Sequence, residues 1–188
     1  MDKKVTRTIS LKLVNPPEAL GKTIDSFAQA CNYVSQIAFE NNYLSRRLAL
    51  HRLTYKDIRT RFPLTAQMTC SVIRQVSGAY ASMKSNGERH LATFKPTCIL
   101  LEGGVRGRDF RLIPKVQTIN ISTIEGRIKV SYFLGDHQAK YLTDSWDIGA
   151  AILIRRKKGI FLNVSLSKTI NTSELKDAAT IKIGRAHV

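Results

Sequence analysis

A chain of 188 residues, 43% of them hydrophobic, can bury a core as one domain or as two small ones. Its 30 Lys and Arg stand against 14 Asp and Glu, a formal net charge of +16. Self-repulsion on that scale argues against a merely soluble basic protein and for a polyanionic partner, nucleic acid first, because neutralised phosphates release counterions. The rival, an anionic membrane surface, calls for a basic amphipathic helix or a lipidation signal, and the sequence offers neither clearly.

Val5, Ile9, Leu11 and Leu13 share one parity against Thr6, Thr8, Ser10 and Lys12, the period of a half-buried strand, with Arg7 as the exception. The same alternation lacks the unbroken apolar region of a signal peptide, and no apolar run approaches a membrane span, so a cytoplasmic location without membrane contact is expected. Asn15-Pro16-Pro17 ends the strand. The period then changes. Leu20, Ile24, Phe27, Cys31, Val34 and Ala38 step by four and three along one helix face, predicted to run on toward Leu44 or Leu48 through SRRLALHR. A short helix is predicted over TYKDIRTRF, stopped by Pro63. A third starts near Leu64, with the apolar stripe Leu64, Met68, Val72, Val76, Ala79 and Met83, and ends at Gly87.

Beyond Gly87 the helical period is gone. Residues 94–101 read as a strand, and Glu102 to Asp109, EGGVRGRD, as a glycine-rich turn. Residues 110–113 and 118–123 read as strands; Glu125-Gly126 turns a hairpin into 127–132, where Ile128, Val130 and Tyr132 alternate. Asp136 is predicted to cap a short helix over HQAKYLTD. The last hairpin runs in along AILIRR, turns at Lys158-Gly159 and leaves through Ile160, Leu162, Val164 and Leu166. A lone first strand cannot stand by itself, so it is expected to pair with the later ones. The fold class is therefore α+β: a β-barrel of wedge or OB-like type, interrupted after its first strand by an inserted helical bundle. The divisions are 1–15 for the first strand, 16–90 for the helical lobe, 91–170 for the rest of the barrel and 171–188 for a connector and tail.

Catalytic groups are scarce. His51, His90, His137 and His187 fall in none of the spacings that bind metal or pair with a nucleophile, and there is no phosphate-cradling P-loop. Asp144 and Asp147 flank Trp146, but turn and capping aspartates are far commoner than catalytic pairs. Cys31, Cys70 and Cys98 are odd in number and far apart, which fits small buried hydrophobes rather than disulfides or a zinc site. No catalytic or metal-binding residue is predicted.

The basic residues carry more. Arg46, Arg47, Arg52, Lys56, Arg59 and Arg61 crowd the middle of the helical block; Arg155, Arg156, Lys157 and Lys158 crowd the last hairpin. A charge run alone is most simply a solvated face, but the overall charge makes phosphate contact at least as good a reading for each. On the third helix Gln67, Ser71, Arg74 and Gln75 share a second face. It reads either as the solvent side or as a stripe able to reach base edges, since Gln and Arg make bidentate base contacts.

The run FRLIPKVQTINISTIEGRIKVSYFLGDHQAKYL resembles the N-terminal half of TnpB-type proteins, the OrfB family carried by bacterial transposons. TRTISLKL, FAQACNYVSQIAF, LTAQMTCSVIRQVSGAYASMK and AAILIRRKKGIFLNVSLS add to it in the family's order, so the resemblance covers nearly all of residues 4 to 170. It implies a wedge-type barrel interrupted by a helical recognition lobe. It also implies an RNA-guided DNA endonuclease related to compact type V CRISPR nucleases, whose barrel and lobe hold a guide RNA and read a short transposon-adjacent motif on target DNA. The family's metal-binding carboxylates and zinc ribbon belong to a RuvC-like part after the barrel, beginning at a strand like GVDLG. No residue here matches those motifs, so none inherits a catalytic role. A divalent metal and zinc are implied only for that C-terminal part.

A connector in the family leads straight into that nuclease strand, whereas here it runs into IKIGRAHV. Ile183 to Val188 back-translates to ATC GGA AGA GCA CAC GTC, the body of a short-read sequencing adapter whose next triplet is a stop. The tail is thus expected to be a library artefact, and the chain an N-terminal fragment that binds nucleic acid without cleaving it. The alternative is a free-standing, non-enzymatic RNA- or DNA-binding regulatory protein.

Overall fold

The computed structural model describes residues 2–103 and 107–171. Strand β1 (Asp2–Leu13) leads into helices α1 (Glu18–Glu40), α2 (Arg47–Arg61) and α3 (Ala66–Ser85). There follow β2 (Cys98–Leu101), β3 (Phe110–Ile113), β4 (Thr118–Thr123), β5 (Gly126–Phe133), the short α4 (Asp136–Ala139), β6 (Asp147–Arg156) and β7 (Gly159–Asn171). The strands make one seven-stranded sheet in the order β2-β6-β7-β1-β5-β4-β3, antiparallel throughout.

The first strand does pair with the later ones, and it holds the middle of the sheet. It runs beside β7 from Asp2↔Asn171 to Lys12↔Phe161, then reaches β5 through Lys12↔Phe133 and Leu13↔Tyr132. Its alternation is therefore split. Ile9, Leu11 and Leu13 are buried, whereas Val5 is half-buried and Arg7 exposed. The cause lies in the neighbours. β6 begins with Asp147 opposite Ser167, which faces Thr6 on its other side, so the stretch of β7 beside residues 2–5 has no β6 neighbour of its own and the sheet there is two strands wide.

The sheet is open. β2 and β3 are its two ends, and no ladder joins them among the described residues. They are stitched at one point: the Asp109 N–H donates to the Glu102 carbonyl at 2.9 Å, and the Glu102 N–H donates to the buried Asp109 carboxylate at 2.8 Å. Beside that stitch the Phe110 ring lies against Gly103, where a Cβ would overlap the ring and come within 2.8 Å of the Gly149 carbonyl.

Several sequence boundaries move. α1 stops at Glu40 instead of running to Leu44 or Leu48, because Asn42 and Tyr43 take left-handed backbone (φ 56 and 58) and the Leu44 N–H folds back on the Ala38 carbonyl. SRRLALHR then belongs with the next helix, and α2 is one long element that buries only Leu50, Thr54 and Ile58. The α3 stripe holds with Tyr80 buried where Ala79 was predicted. The strand predicted over 94–101 shrinks to Cys98–Leu101: Pro96 breaks it, and Phe94 is tied instead to Asn32 of α1 by bonds of 3.0 and 2.7 Å. Gly135, not Asp136, stands before α4, so Asp136 sits in the first turn, where its charge meets the positive helix end. The last turn is Lys157-Lys158, since Gly159 already pairs with Arg156.

One apolar cluster spans helices and sheet, from Phe27, Val34, Met68 and Val76 through Ile99, Phe110 and Ile121 to Leu153 and Leu162. α1 packs on β2 and β4, and α3 on β2. The Tyr80 hydroxyl lies 3.0 Å from Ser35 Oγ and donates to the Ser35 carbonyl at 2.9 Å, while Ser35 Oγ donates to the Ala92 carbonyl at 2.6 Å, which locks the return from α3 to β2. Among the described residues no helix is long and apolar enough to cross a membrane.

Candidate nucleic-acid interface

α2 and α3 flank a cleft of about 560 Å³. α2 lines it with Arg47, Leu48 and His51, α3 with Gln67, Ser71 and Arg74, and the loop before β3 adds Arg108. Helical spacing brings Arg47 and His51 to one face of α2, and Gln67, Ser71 and Arg74 to one face of α3. Thr65 caps α3 by accepting from the Met68 N–H at 3.1 Å, and the Arg59 guanidinium donates to the Leu64 carbonyl, so the turn that joins the two walls is braced from both sides.

Part of the lining is buried and polar. Arg74 pairs with Glu102, yet its Nε and Nη2 are buried and have no hydrogen-bond partner among the described residues, and neither has the buried Ser71 hydroxyl. Such groups are costly to leave unmade, so a ligand that supplied acceptors would recover that cost. Arg108 donates to the Gln67 side-chain carbonyl at 3.3 Å, and the Gln67 amide nitrogen has no acceptor among the described residues. The backbone of Gly107 and Arg108 is held by Arg127, whose Nη2 donates to both carbonyls at 2.6 Å each. Burial pushes the Asp109 carboxyl up from its ordinary range, against the pull of the Glu102 N–H and of Arg127 and Arg108.

The predicted binding residues divide. Arg47, Gln67, Ser71 and Arg74 meet in this cleft. Arg46 lies at the α2 N-terminus, and Arg52, Lys56 and Arg59 occupy another face of that helix, all exposed. Arg61 stacks over the Tyr33 ring at 4.8 Å. Gln75 is half-buried and outside the cleft lining. Arg155 has a structural partner: it forks onto the Asp25 carboxylate at 2.8 and 3.2 Å and donates to the Gly21 carbonyl at 2.5 Å, which clamps β6 to α1. Arg156 lies 5.1 Å from the Phe161 ring centroid, and Lys157 and Lys158 stand exposed at the hairpin tip.

His51 and Arg108 were not among the predicted site residues. His51 stacks on Tyr55 at 4.6 Å and follows Arg47 by one helical turn, a spacing visible in the sequence. Arg108 comes to the cleft through the Glu102–Asp109 stitch, which has no local signature. Among the described residues no group of three or more His, Cys, Asp or Glu could hold a metal ion. The predicted connector and adapter-like tail beyond Asn171 lie outside the described residues. No family model matches the chain, and no curated protein is similar enough to match it.

Proposed function

We propose that the chain binds nucleic acid as the N-terminal part of a TnpB-type, RNA-guided DNA endonuclease. In this reading the open sheet stands where the family has its wedge-type barrel, the three long helices are the inserted recognition lobe, and the pair holds a guide RNA and target DNA beside a short adjacent motif. The chain supplies grip and positioning and no catalytic residue.

One observation carries the reading. Arg47, one of six basic residues crowding the middle of the helical block, and Gln67, Ser71 and Arg74 of the second α3 face line a single cleft with buried donors that have no partner among the described residues, in a chain of net charge +16. Guanidinium groups suit phosphate and guanine, and a Gln amide suits base edges.

Retention of a structured RNA and of duplex DNA on the purified chain tests it. Both should shift in a native gel at low salt, and Arg74→Ala with Arg47→Ala should release them. Retention of an acidic polypeptide as tight as that of either nucleic acid would contradict it.

A further inference from the structure

A second, larger cleft of about 750 Å³ opens beside one edge of the sheet. It lies along β3, the outermost strand, and is walled on its far side by the segment that leads into β6. Short turns fix that segment: the Tyr141 N–H donates to the Gln138 carbonyl and the Trp146 N–H to the Thr143 carbonyl, each at 3.1 Å. Gln138 in turn donates to the Ser10 carbonyl of β1 at 3.3 Å.

The lining is chemically divided. Tyr141 and Trp146 form an edge-to-face pair with ring centroids 5.4 Å apart and planes at 76°. Both are only partly buried. Arg111 and Lys115, from β3 and the turn after it, are exposed cations on one wall, and Asp144 and Asp147 are exposed carboxylates on the other. Aromatic faces take a planar ring, cations take a phosphate, and carboxylates take the N–H groups of a base edge.

We infer that this cleft receives one unpaired nucleotide of a single-stranded nucleic acid, its base against Tyr141 and Trp146, its phosphate at Arg111 and Lys115, and its amino edge at Asp144 and Asp147. The site is separate from the α2–α3 cleft and rests on the nucleic-acid reading only for the class of its ligand. The open edge of β3 also admits an extended peptide as an added strand, but a peptide gives no reason for aromatic, cationic and anionic groups to be sorted in this way.

The molecule carries its own reporter, because Trp146 is its one tryptophan. The full chain is titrated with a labelled single-stranded RNA oligonucleotide and with the same phosphodiester lacking bases, reading label anisotropy and tryptophan emission together. With bases, anisotropy should rise and emission should be quenched; without bases, anisotropy should rise alone. Tyr141→Leu and, separately, Arg111→Gln should shift the quenching midpoint by roughly tenfold. Anisotropy that rises with no quenching overturns the inference and leaves the α2–α3 cleft reading intact; no rise with either ligand overturns both. Equal quenching by the abasic strand, or quenching by an extended apolar peptide in place of the RNA, also overturns it.

Discussion

The two basic runs of this chain look alike on paper and are put to different uses. In SRRLALHR the guanidinium of Arg47 faces a cleft, with His51 beside it and the Gln67–Arg74 face of α3 opposite. In AILIRRKK, by contrast, Arg155 points at Asp25 and is held by two carboxylate oxygens and a carbonyl. The difference is what each run meets when the chain folds. Arg155 lands opposite a carboxylate and becomes a clamp, whereas Arg47 has no carboxylate partner among the described residues. Charge density in sequence therefore locates basic surface but does not say which of its members are free.

The largest expected effect breaks the cleft. Arg47→Ala combined with Arg108→Ala should weaken RNA binding by about 2 kcal/mol, roughly thirtyfold, with the thermal midpoint nearly unchanged, as read by anisotropy and by melting. Next comes the clamp. Arg155→Ala should lower unfolding free energy by about 1 kcal/mol, a value discounted because both partners are partly solvated, and should leave affinity per folded molecule unaltered. Denaturant titration beside the same binding assay separates the two. Smaller still, Lys157→Ala with Lys158→Ala at the hairpin tip should reduce affinity a few-fold and change no stability, because both lysines are exposed on the turn.

The subtlest effect concerns the stitch beneath the cleft. Burial raises the Asp109 carboxyl above its ordinary value of 3.8, so the folded state favours the protonated form. Its contribution to stability is fully present below pH 3.8 and is lost as pH rises through the raised folded value. Asp109→Asn keeps an acceptor for the Glu102 N–H and removes the titration. The stability of the wild type relative to Asp109→Asn should accordingly fall across that window and then level off, which urea midpoints measured at a series of pH values would show.

Much of the strand architecture was legible because period-two alternation is local. Val130 and Tyr132, and Leu162 and Val164, point into the core as their parity predicts. The helix stripes were legible for the same reason, apart from the exchange of Ala79 for Tyr80. Helix ends were not. The stop after Glu40 depends on Asn42 and Tyr43 entering left-handed backbone, a local choice that the apolar stripe running toward Leu44 hides. The openness of the sheet was also hidden, since alternation says which face is buried and nothing about whether the outer strands meet. Of the site, the α3 face of Gln67, Ser71 and Arg74 could be read from spacing and Arg47 only as one of a crowd of basic residues, whereas Arg108 arrives by way of a contact between Glu102 and Asp109 across the two sheet ends. Arg155 could not be set apart from its neighbours either, because Asp25 lies far away in sequence and only packing brings it near.

The most direct test of the central claim is the salt dependence of RNA affinity for the wild type and for Arg47→Ala. The account predicts a linear fall of log affinity with log salt, and a slope shallower by about one for the variant. An affinity indifferent to salt, or a slope that Arg47→Ala leaves unchanged, would contradict it.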